Sequence, residues 1–294
     1  MPSSSLLLRA MPLVFVLIWS TGWVVAGYSA PYADPLTFLS VRFACAAILV
    51  GGFCVFSGAT WPTTSRGWFD VLLTGVLLHA IYLGSVWWAV RHGLPAGISG
   101  LIAALQPILT ALLAPWLLGE RISPLRWGGI LLGFLGIGLV LQPKLASVEP
   151  ALLWNVALPI IVNMVGMVSV TAGSFYQKKY LASVDLRSTT ALQYVGALLV
   201  TLPVAFLLEP MQIIWNTTMV LVLGWSVIAL SLGAIGLMLL MIRRGAVSRM
   251  ATLIYLIPPT VALEAWLLFG EKLSPVQMAG MAVTVLGVAL ASRK

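Results

Sequence analysis

The chain has 294 residues, 61% hydrophobic and 8% charged, with a net charge of +8 and a mean hydropathy of +1.05. A soluble domain covers its surface with about 25% charged residues, so this composition excludes a soluble globular fold. The cations are scattered through short connections, which speaks for membrane orientation and against a nucleic-acid surface.

Crossing a hydrocarbon core takes about 20 helical residues, and the apolar stretches reach that length. Backbone in lipid must satisfy its own hydrogen bonds, and runs such as Val71-Leu72-Leu73 do not alternate as barrel strands would. Each stretch is therefore read as a helix. In chain order the predicted spans are 11–29, 36–56, 68–91, 96–118, 125–142, 152–175, 187–208, 217–242, 247–269 and 276–292.

The first span carries Trp19 beside Ser20, Thr21 and Gly22, and Trp19 is expected to face a cavity and stack on an aromatic group. The small residues also suit close helix packing. Ala26 to Ala30 resembles a signal-peptide cleavage site, but Pro31 disfavours cleavage and the span is expected to be retained. The second span holds Cys45 and Cys54, read as packing or lipid-facing residues without metal spacing, and the deep cation Arg42. In the third, His79 and Tyr82 share one face, either as a polar anchor in a substrate cavity or as a histidine bonded to a neighbouring helix. Pro107 breaks the fourth span beside Gln106, and Pro258 and Pro259 break the ninth beside Tyr255. Each proline removes a helical bond, which serves gating, substrate contact or a packing kink. Asn163 and Ser169 sit deep in the sixth span, with Asn163 expected at the cavity. Glu264 is the one acid well inside a span, at a depth matching Arg42. The two are expected to form a structural ion pair, and proton coupling at Glu264 is the alternative. Trp61, Trp68, Trp127, Trp154 and Trp215 lie near span ends as an interfacial belt.

Lysine and arginine counts in alternate connections give orientation. Twelve fall on the side of both termini, three (Arg91, Lys144 and Lys272) on the other, and Arg42 lies within a span. Both termini are therefore expected in the cytoplasm.

Shifted by 151 residues, the sequence matches itself. Gly119-Glu120-Arg121-Ile122-Ser123-Pro124 meets Gly270-Glu271-Lys272-Leu273-Ser274-Pro275. Pro107 meets Pro258, Gly129 meets Gly280, Gly136 meets Gly287 and Asp34 meets Asp185. Each unit holds five spans, an odd number, so the second enters the membrane from the opposite side. The expected fold is an all-α integral membrane protein of ten transmembrane helices, with residues 1–146 and 147–294 as two inverted five-helix repeats around a central cavity. The glycines of the two matched hexapeptides are read as left-handed helix ends, and the acids as caps on the helix that follows.

On Pro35 through Arg42-Phe43, Pro107 with Gly119-Glu120 and Ser123-Pro124, and Pro258 with Gly270-Glu271 and Ser274-Pro275, the chain resembles the drug/metabolite transporter superfamily. Within it, the chain most resembles exporters of aromatic and other neutral amino acids. The resemblance implies a basket of helices with the fifth and tenth peripheral. The position equivalent to Arg42 is Gln193.

The expected function is a secondary transporter in the bacterial inner membrane, exporting small amphipathic metabolites such as aromatic and neutral amino acids by alternating access. Export of organic cations or drugs is the alternative, and a membrane-embedded enzyme or sensor is the alternative of another class. No H-E-x-x-H, G-x-S-x-G, P-loop or pair of deep acids occurs, so no catalytic residue, metal or cofactor is expected. The expected partners are a small-molecule substrate and the lipid bilayer, with no nucleic acid. A monomer is compatible with this reading.

Overall fold

The computed structural model describes residues 3–118, 123–146, 153–234, 236–237 and 256–291. Among them the chain is helical, without named strands. In order come α1 (Ser3–Ser29), α2 (Pro35–Phe56), α3 (Ser65–Gly75), a π-helical segment (Val76–Ile81), α4 (Tyr82–Arg91), α5 (Ala96–Ile102), α6 (Leu105–Leu118) and α7 (Pro124–Ala146). Then follow α8 (Leu153–Tyr180), α9 (Leu186–Leu208), α10 (Thr217–Trp225), a second π-helical segment (Ser226–Ala234), α11 (Ile257–Phe269) and α12 (Pro275–Ala291). By length and composition 7 described helices can cross a membrane, and three shorter apolar ones cover Leu13–Ser29, Ile257–Phe269 and Pro275–Ala291. Phe56, Ile48, Phe206 and Leu207 are exposed, as in a protein whose solvent is lipid.

Proline explains several helix starts. Pro35, Pro124 and Pro275 open α2, α7 and α12, where a missing N–H costs nothing. Pro107 acts one turn earlier: the fourth span breaks at Ala103–Ala104 into α5 and α6. There the backbone tightens, with Ala104 N–H donating to Leu101 and Gln106 N–H to Ala103, each at 3.1 Å. Pro258 and Pro259 stand in the first turn of α11, so they begin the described helix and do not kink its middle. Pro107 likewise stands in the first turn of α6.

The connection ends are strapped. The Glu209 carboxylate accepts from Leu36 N–H, Thr37 N–H and the Thr37 hydroxyl at 2.8–2.9 Å, capping α2 from the end of α9. Ala33 and Ile213 form an antiparallel bridge beside it. At the opposite end Asp185 caps α9 and accepts from Thr60 N–H at 3.2 Å, while the Ser188 hydroxyl donates to the Thr60 carbonyl at 2.6 Å. Helices α2 and α9 therefore run antiparallel, and Phe43 stacks on Tyr194 between them at 6.1 Å.

Gly270 has φ 68°, the left-handed helix end expected of it. Its neighbour corrects one expectation. Glu271 does not cap the helix that follows; its carboxylate accepts from Ala96 N–H at 3.1 Å and Gly97 N–H at 2.9 Å, at the start of α5. Helix α12 is capped instead by a reciprocal box between Ser274 and Gln277. Gly119 and Glu120 lie outside the described residues.

Helices α7 and α12 meet along a glycine seam. A Cβ on Gly129 would lie 2.7 Å from the Gly287 carbonyl oxygen, and one on Gly287 would lie 2.8 Å from that of Gly129. The same holds for Gly136 and Gly280, at 2.7 and 2.8 Å. Only glycine lets these backbones approach so closely.

Candidate functional site

Between α1, α2, α4, α8 and α9 lies a cavity of about 580 Å³, which extends to the α8–α9 connection at Lys178, Leu181 and Val184. Its size suits a small organic ligand. Six aromatic groups stand in its walls: Trp19, Trp23, His79, Tyr82, Trp87 and Tyr194. Among the described lining residues the polar and charged groups include Arg42, Gln106, Gln177, Lys178 and Gln193, and none is acidic.

The two π-helical segments build the polar level. Such segments widen a helix by one residue per turn and recur at functional sites. The first carries His79, which stacks on Tyr194 at 4.8 Å and meets Phe43 at 6.1 Å. The second carries Ser231, whose hydroxyl donates to the Ser226 carbonyl five residues back at 3.0 Å. Arg42 Nη2 reaches the Ser231 hydroxyl at 3.5 Å, and its guanidinium lies 5.5 Å from the centre of the Trp87 ring. On α9, Gln193 Nε2 donates to Gln177 Oε1 at 2.9 Å.

Trp19, His79, Tyr82 and Gln106 thus line one cavity. Asn163 does not. It is fully buried in α8, with Nδ2 donating to the Ser99 hydroxyl of α5 at 2.9 Å, a bond between helices. Tyr255 lies outside the described residues. Arg42 and Glu264 are not brought together: Arg42 faces the cavity, while Glu264 Oε1 accepts from the Ser20 hydroxyl of α1 at 2.7 Å. Matching depth gave no azimuth, and Glu264 points from α11 toward α1. Trp23, Trp87 and Tyr194 are lining residues that sequence reasoning missed. Tyr194 had a signal, since it follows the Arg42 equivalent Gln193 and is itself the equivalent of Phe43.

Known proteins resemble this chain over most of its length. An inner membrane transporter of Escherichia coli (strain K12), YedA, itself uncharacterised, is 25% identical over 274 residues, covering 93% of this chain and 87% of its own. A probable amino-acid metabolite efflux pump of Salmonella typhimurium (strain LT2) is 24% identical over 292 residues, covering 95% and 92%. A solved crystal structure at 19% identity superimposes with a TM-score of 0.64 over 96% of each chain, a likeness of fold alone. The EamA-like transporter family matches residues 8–142 and again 157–293. Those two matches take in nearly the whole chain, cavity included, and this protein is a membrane transporter belonging to the EamA-like transporter family.

Proposed function

We propose that this protein is a secondary exporter of small amphipathic metabolites, foremost aromatic and other neutral amino acids, in the bacterial inner membrane. The observation that carries the reading is the aromatic-walled cavity of about 580 Å³, lined from both halves of the chain and free of acids among its described residues. Tryptophan, tyrosine and histidine faces suit an aromatic or apolar side chain. An organic cation wants a deep carboxylate, so the lining disfavours the rival reading. The name of the Salmonella relative points the same way.

Alternating access follows from the proposed architecture of ten helices in two inverted five-helix repeats. Seven long and three shorter apolar helices support the count. Crossed contacts support the inversion. Gly129 meets Gly287 and Gly136 meets Gly280, while the repeat equates Gly129 with Gly280 and Gly136 with Gly287. Only a two-fold relation makes i meet the copy of j while j meets the copy of i. Phe43 and Tyr194, equivalent by the same offset, stack on each other as residues near such an axis would. The charge bias supports a cytoplasmic position for both termini and for the α8–α9 connection that the cavity reaches. In this state substrate enters from the cytoplasm.

Flux in proteoliposomes tests the reading. Purified protein should exchange labelled phenylalanine, tryptophan or leucine and leave tetraphenylphosphonium behind. Cation flux without amino-acid flux would sink it.

A further inference from the structure

A guanidinium taken out of water needs a counter-charge or a full set of acceptors. Among the described residues Arg42 has neither. It is 6% exposed, and Nε and Nη1 find no hydrogen-bond partner there. Its one hydrogen bond among them, to Ser231, is long at 3.5 Å. The described acids lie elsewhere: Asp34, Asp70, Asp185, Glu209, Glu264 and Glu271 bond to other groups, Glu264 through Oε1 only with its Oε2 unpartnered among the described residues, and none lines the cavity. Two further buried groups in the lining lack partners, Trp23 Nε1 and Trp87 Nε1. All of these orphan atoms of the lining are donors. Lys178 adds a second cation where the cavity meets the α8–α9 connection.

A pocket whose unsatisfied groups are donors, with cations and no described carboxylate, awaits an anionic acceptor. A planar carboxylate accepts charge-assisted hydrogen bonds from unpartnered guanidinium N–H groups such as Nε and Nη1. A phosphate dianion would want more cations than the single one at this depth.

We propose that Arg42 binds the carboxylate of the substrate, while the neighbouring aromatic walls hold its apolar part. This rests on the amino-acid reading and narrows it. The carboxylate is the group that is recognised, and no described lining residue supplies a charge partner for an ammonium. An aromatic carboxylate without an amino group is therefore as good a ligand as the amino acid, and the corresponding amine is rejected.

Calorimetric titration of the purified full chain in detergent tests this, with tryptophan, indole-3-propionate and tryptamine as probes. Wild type should bind the first two alike and tryptamine far more weakly. Losing a charge-assisted pair should weaken both carboxylates about tenfold to a hundredfold in Arg42→Met. The tryptamine signal should stay as it was. The variant should melt close to wild type, because it loses a buried charge whose internal contacts among the described residues are only the long bond to Ser231 and the Trp87 ring. Arg42→Gln is the second variant, retaining a polar group without charge. Unchanged carboxylate affinity in either would overturn the assignment and leave the amino-acid reading standing. Failure of both to fold would make Arg42 a structural residue and likewise overturn it. Tryptamine binding in preference to indole-3-propionate would overturn the assignment in favour of cations. If wild type binds none of the three, the aromatic amino-acid reading falls, and the role of Arg42 with it.

Discussion

The glycine seam and the cavity are built by the same repeat, yet they have diverged differently. Along α7 and α12 the equivalent positions remain glycine in both copies, and the four crossed approaches agree within 2.7–2.8 Å. At the cavity the equivalents differ. Arg42 corresponds to Gln193, His79 to Leu230 and Phe43 to Tyr194. Packing tolerates no side chain at the seam, so both copies kept the same solution. A substrate has no two-fold symmetry, so the lining could become asymmetric once the helices around it were fixed.

The two regions should therefore fail in different ways. The largest effect belongs to the seam. Gly129→Val or Gly136→Val forces backbones apart and should cost about 3 kcal/mol, the upper end for overpacking, measured by thermal unfolding in detergent. Gly138 faces open space, so Gly138→Ala should be neutral or stabilising by up to about 1 kcal/mol through helix propensity. Equal damage at both sites would erase the distinction. In the cavity the damage should be to flux. His79→Ala and Tyr82→Ala should each lower amino-acid exchange about tenfold, roughly 1.4 kcal/mol of binding, with little loss of folded protein. A parallel loss of folded protein would return His79 to a packing role.

The straps give a smaller, pH-dependent signal. Hydrogen bonds from the Arg187 side chain hold the Asp185 carboxyl at about 2, below its ordinary 3.8. A lowered folded value means that the contribution is complete above 3.8 and fades as pH falls toward 2. Melting temperatures taken across that window should decline in wild type and less in Asp185→Asn. The smallest expected effect is a null one. Arg42→Met and Glu264→Gln should add within about 0.5 kcal/mol in a double-mutant cycle, because their partners differ. A coupling well above that would restore the ion pair.

Much of the fold was legible because bilayer length, proline positions and the 151-residue offset are properties of the chain itself. The helix starts at Pro35, Pro124 and Pro275 and the left-handed Gly270 followed from local chemistry. Four cavity residues were legible: His79 and Tyr82 from the cost of polar groups at depth, Trp19 from its stacking capacity and Gln106 from its place beside the proline break. What the sequence hides is azimuth and tertiary partner. Asn163 satisfies the same depth rule but bonds to Ser99, and Arg42 and Glu264 share a depth without sharing a face. Glu271 caps α5, remote in sequence, and no local rule could have chosen it over α12. The π-helical segments carry no sequence signature, yet they set His79 and Ser231 at the cavity level.

The central claim, that the halves part to pass a substrate, is tested most directly by locking the end of the molecule assigned to the periplasm. Ala33 and Ile213 face each other in an antiparallel bridge. Such pairs have Cα atoms about 4.5–5.5 Å apart, a span that a disulfide accepts. With Cys45 and Cys54 replaced by serine, the Ala33→Cys/Ile213→Cys protein should exchange tryptophan in proteoliposomes when reduced. Oxidised, it should retain tryptophan binding and lose exchange, and reduction should restore it. Undiminished exchange by the oxidised protein would contradict alternating access through this cavity.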